Sequence, residues 1–111
     1  MKLKHENYEH TTVISMAGEV NTDEIAPLEK LLNDRLAAEA RDFVLDLSQT
    51  EFLDSKALEM LLWLQKQADD RLGQVRLVQP TDNVQKILQI TRLEQHFDRH
   101  DSVEAALKSL K

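Results

Sequence analysis

The chain has 111 residues, 41% hydrophobic and 31% charged, with a formal net charge of −6; that length suits one domain, residues 1–111, built around one core with no room for a second. Cysteine is absent, which excludes a disulfide framework, a thiolate metal site and a cysteine nucleophile. No apolar run approaches the roughly 18 residues of a membrane span, and the charged start MKLKHENYEHTT is no secretory signal, so a cytoplasmic protein without membrane insertion is expected.

Leu3 to Tyr8 alternates weakly, and Thr12 to Ala17 is β-branched and apolar up to Gly18. The two read as a hairpin turning around Glu9-His10. Asn21-Thr22-Asp23-Glu24 is rich in helix-capping residues, and Ile25, Leu28, Leu31, Leu32 and Leu36 then recur at helical spacing. Proline is tolerated only in a first turn, so Pro27 places the start of this helix near Asp23 or Glu24. Asp42 to Leu47 reads as a buried strand. A helix from about Ser55 to Leu72 follows, with Gly73 suited to the left-handed residue that closes it.

Gln74 to Val78 alternates as the next strand, and Pro80 breaks the chain. Thr81 or Asp82 caps a third helix with Val84, Ile87, Leu88 and Thr91 along one stripe. A short extended piece near Gln95 to Phe97 and a last helix, Ser102 to Leu110, complete the chain. This alternation predicts an α/β domain, a small mixed sheet of four to five strands with about four flanking helices. In such sheets the functional crevice lies beyond the C-terminal ends of the parallel strands, where QTEFLDSKAL arrives.

Two features stand out there. On a helical wheel Ala57, Leu58, Leu61, Leu62, Leu64, Ala68 and Leu72 form a broad core face, and Trp63, the single tryptophan, falls roughly 150° from its middle, among Glu59, Lys66, Gln67 and Asp70. An aromatic so placed suits a partner contact; lying flat over a neighbouring loop or another subunit is the structural alternative. At the helix start, Asp54 as N-cap puts Leu53 and Leu58 at the spacing of a hydrophobic staple and leaves Ser55 at the first helical position with its hydroxyl free of capping. Ser55 as the cap is the alternative, but Leu58 then replaces the Glu or Gln of a capping box.

The order of segments, with GEVN at 18–21, FVLDLSQTEFLDSKALEMLL at 43–62, VRLVQP at 75–80 and VQKILQITRLEQHF before a short last helix, resembles the STAS domain of anti-sigma factor antagonists over nearly the whole chain. The resemblance implies a non-enzymatic regulator, with Ser55 phosphorylated by a partner that is an anti-sigma factor or related serine/threonine kinase, and reset by a serine phosphatase. Asn21, Asp54, Ser55, Lys56, Glu59 and Trp63 are the expected partner-binding positions. In the phosphorylatable antagonists the motif runs Asp-Ser-Ser/Thr-Gly-Leu, whereas here it is Asp54-Ser55-Lys56-Ala57-Leu58, and Asn21 stands where an acidic residue is common. The family also serves as non-switching adaptors, for example in transport complexes, which would dock through the 55–72 helix face.

Other chemistry is poorly supported. Residues 1–55 carry 5 Lys/Arg against 12 Asp/Glu, a surface that repels phosphate backbones, so no direct nucleic-acid contact is expected. His96 and His100 lack a third ligand by spacing, and two glycines in all leave little from which to build a nucleotide loop. Neither a metal, a cofactor nor a catalytic residue is expected. A receiver-like phosphoacceptor at Asp46 would need an acidic pair after the first strand, where Glu9 is all there is.

Overall fold

The computed structural model describes residues 1–110. Strands β1 (Lys2–Tyr8), β2 (Thr11–Val20), β3 (Asp42–Asp46), β4 (Thr50–Leu53), β5 (Val75–Val78) and β6 (Asp98–His100) alternate with helices α1 (Ala26–Ala37), α2 (Ser55–Asp70), α3 (Asp82–Ile90) and α4 (Val103–Ser109). The sheet runs β1-β2-β3-β5-β6, with β4 also paired to β2. β1 is antiparallel to β2 and every other pairing is parallel. The expected hairpin is present, with Glu9 in the left-handed conformation at its turn (φ 48°).

Alternation along the strands divides the interior in two. Ile14, Met16, Phe43, Leu45, Val75 and Leu77 face α1, α2 and α3 in the main core, whereas Val13, Val44 and Val78 face Ala106 of α4. Period-two side-chain placement makes this inevitable once the strands pair in register.

Six strands form where four to five are expected, and the extra strand is β4. β2 does not end at Gly18: that residue takes φ 95°, the pairing shifts register there, and the strand continues to Val20 beside Phe52 and Leu53. β3 and β4 therefore lie along one edge of β2, interrupted by a turn in which Asp46 accepts the Ser48 N–H (3.0 Å) and Gly18 N–H donates to the Gln49 carbonyl (2.9 Å). Thr50 is fully buried and donates to the Met16 carbonyl at 2.6 Å. A strand of four residues with Glu51 and Phe52 exposed has too little pattern to be read locally.

Several boundaries also differ. α1 starts at Ala26, not Asp23 or Glu24, because Asn21 holds residues 21–24 in a turn, its carbonyl and side-chain oxygens both accepting the Glu24 N–H (3.1 and 3.2 Å). The last strand lies at Asp98–His100, since Glu94–His96 forms a 3₁₀ turn instead of an extended piece. Thr91 caps the end of α3, donating its hydroxyl to the Ile87 carbonyl (2.7 Å), and is exposed, outside the apolar stripe. Met60 joins the α2 core face, whereas Leu62 and Leu72 are exposed.

The close of α2 separates two uses of glycine. The left-handed residue is Leu72 (φ 60°), not Gly73. Its N–H bonds Asp69 and that of Gly73 bonds Ala68 (3.0 and 2.7 Å), the paired closure that favours glycine at the Leu72 position. Gly73 is required for space, because a Cβ there would overlap the backbone of Arg41. Gly73→Ala therefore lowers stability by about 3 kcal/mol in chemical denaturation. Leu72→Gly raises it by about 0.5–1 kcal/mol by removing the left-handed penalty from a side chain that is 92% exposed.

Candidate functional site

The parallel strands β2 and β4 end together, and Asp54 follows directly. Its N–H donates to the Val20 carbonyl (3.2 Å), continuing the ladder by one bond, and its backbone is still extended (φ −88°, ψ −178°). The side chain then starts α2. Oδ1 accepts the Ala57 N–H at 2.9 Å, and the Asp54 carbonyl accepts the Leu58 N–H at 3.0 Å. Leu53 and Leu58 on either side are both buried, so the staple expected from their spacing is present and Asp54, not Ser55, is the cap.

Asp54 does more than cap. Its other oxygen, Oδ2, accepts both the backbone N–H and the hydroxyl of Thr22, at 2.7 and 3.0 Å. One carboxylate thus joins the start of α2 to the turn after β2. Four donors favour the charged form: the Ala57 N–H most strongly, then, against an opposing effect of partial burial, the Thr22 N–H, its hydroxyl and the Lys56 N–H. The carboxyl is accordingly held below its ordinary value.

Ser55 is the first residue of α2 and is exposed; no hydrogen bond involves its hydroxyl among the described residues. Glu59 lies one turn further on and Trp63 a turn beyond that. Lys56, Glu59, Met60 and Trp63 of α2 meet Glu29 and Asn33 of α1 around an open groove of about 300 Å³. Trp63 is 37% exposed, half-seated in the groove wall. Asn21 is bound into its own turn through Glu24 and reaches the rest of the site by way of Thr22.

Three contributors escape the sequence reading. Thr22 sits in a run rich in capping residues, but nothing local ties it to a carboxylate 32 positions away. Glu29 and Asn33 are polar positions of α1, and only the packing of α1 beside α2 makes them part of a groove.

A family model described as "Mlab, STAS domain" matches residues 5–104. The chain belongs to the STAS domain family. A STAS-domain containing protein of Pseudomonas aeruginosa (strain UCBPP-PA14) is 41% identical over 64 residues, 58% of this chain and 63% of that relative's length; this chain thus matches less than two thirds of it. Among solved structures, the Thermotoga maritima protein TM1081 is similar with a TM-score of 0.88 at 21% identity, over 97% of this chain and 93% of that one. The anti-sigma factor antagonist SpoIIAA in its unphosphorylated form gives 0.86 at 18% identity, covering 97% and 95%. The Bacillus cell fate determinant SpoIIAA in the phosphorylated form gives 0.79 at 17%, covering 99% and 100%. The fold is theirs, a mixed sheet of six strands with four helices.

The clamp makes stability depend on the charge of Asp54. Because the folded carboxyl titrates below its ordinary value of 3.8, the stabilisation is complete above that value and is lost as the pH falls through the folded one. Asp54→Ala costs about 2 kcal/mol at pH 7, a full cap loss. Denaturation of wild type and variant converges as the pH is lowered towards 2. Asp54→Asn recovers only part, since an amide can accept from Ala57 but then turns its NH₂ towards the Thr22 donors.

Proposed function

We propose that this chain is a non-enzymatic regulator of the anti-sigma factor antagonist kind, whose Ser55 accepts a phosphoryl group from a partner that is an anti-sigma factor or related serine/threonine kinase. A serine phosphatase restores it, and the unmodified form is the one that binds. The observation that carries the reading is the exposed, unpartnered hydroxyl at the first position of α2, left free because Asp54 does the capping. The full-length likeness to a protein known in both unphosphorylated and phosphorylated forms supports it.

Phosphate on Ser55 adds about −1.5 to −2 charge at a helix N-terminus, where the helix dipole favours an anion, although Asp54 already holds the Lys56 and Ala57 N–H groups. The fold tolerates it, so the consequence falls on binding. A partner that packs an apolar or acidic surface against this end meets a hydrated dianion; a loss of about 3 kcal/mol lowers affinity more than a hundredfold. Lys56, next in sequence, offsets part of the new charge, and Asp54 adds repulsion. Ala57 fills the place where phosphorylatable relatives carry glycine, and its N–H is the one Asp54 holds.

A second reading has its own support: an adaptor without a switch, docking a partner protein of, for example, a transport complex through the 55–72 face. The groove beside Trp63 favours it.

Phosphosite mapping on the protein taken from its native cells separates the two. The switch predicts one phosphate, at Ser55, absent in Ser55→Ala, and loss of partner capture by Ser55→Asp. Capture unaffected by Ser55→Asp but weakened at least tenfold by Trp63→Ala establishes the adaptor instead.

A further inference from the structure

The groove between α1 and α2 has walls of a particular chemistry. Glu29 and Asn33 line it from α1, and Lys56, Glu59 and Trp63 line it from α2 together with the buried Met60. Lys56 adjoins Ser55 at the start of α2, about two turns before Trp63. Among the described residues none of these three charges is in an ion pair, although Lys30 and Asp34, on the same helix as Glu29, do pair with each other (2.9 Å).

We propose that this groove receives an arginine side chain from a segment of a protein partner. The guanidinium lies against the Trp63 indole and between the carboxylates of Glu29 and Glu59. Charge complementarity selects this occupant. Two carboxylates facing one space are satisfied together by a planar, multiply donating cation, and an indole face adds cation–π attraction. Arginine fits both requirements better than lysine, whose ammonium is a compact, strongly hydrated point charge. An apolar anchor would leave both carboxylates beside it unpaired and poorly hydrated. Lys56, seven residues before Trp63 and so about 10 Å along the helix, accepts a carboxylate from the same segment. The segment therefore carries an acidic residue about two helical turns from its arginine.

This inference rests on reading the chain as a partner-binding module and requires no phosphorylation. The probe is an acetylated, amidated alanine-based helical peptide with one Glu and one Arg seven positions apart, titrated against the full chain. Trp63, as the single tryptophan, reports occupancy directly by fluorescence. The expected result is a saturable change, weakened at least tenfold in Glu29→Gln/Glu59→Gln and by raising the salt, and several-fold weaker when Lys replaces Arg. A wild-type chain that binds the peptide but carries no phosphate when isolated from its native cells overturns the switch and keeps the groove. No saturable change, equal binding of a peptide with norleucine in place of Arg, or undiminished binding by the double glutamine variant overturns the proposal.

Discussion

The carboxylate of Asp54 is the point at which this fold is joined. With one oxygen it caps α2, with the other it holds Thr22 in the turn after β2, and its N–H completes the ladder between β4 and β2. A neutral bond of this kind contributes about 1 kcal/mol, and those to the carboxylate contribute more. Together they fix where a strand end, a helix start and a neighbouring turn sit relative to one another. Because the donors converge on charged oxygens, the bonds are of the stronger, charge-assisted kind.

The site follows from that constraint. A helix N-terminus needs an acceptor; if Ser55 supplied it, the hydroxyl would be consumed by the helix it begins. Asp54 takes the duty one residue earlier, so the serine hydroxyl is exposed and is not consumed by the helix it begins. The same helix carries Lys56, Glu59 and Trp63 away from Ser55 along the wall shared with α1. An exposed hydroxyl at the helix start and an open groove along its side are thus built on one helix.

Much of this was legible from residue order because the determinants are local. The Asp54 cap and the Leu53–Leu58 staple are set by spacing of a few residues, and the exposure of Trp63 follows from helical periodicity. Where the reading failed, distant chain segments decided. Residue order places Thr22 in the turn before α1, but gives no sign of the carboxylate from beyond the end of β4 that holds it there. β4 itself exists because β2 kinks at Gly18 and carries on. Gly73 was read for its backbone freedom, but its place is set by the approach of Arg41 and the left-handed conformation falls on Leu72. Glu29 and Asn33 are unremarked polar residues until the packing of α1 on α2 makes them a wall.

The claim that one carboxylate holds both segments is tested most directly by following the Asp54 side-chain carboxyl and the backbone amides of Thr22 and Ala57 by NMR as the pH is lowered. The account predicts one shared titration midpoint for all three signals, below the ordinary value of 3.8, with both amide shifts insensitive to pH in Asp54→Ala. Independent midpoints for Thr22 and Ala57, or an Asp54 carboxyl titrating at its ordinary value, would contradict it.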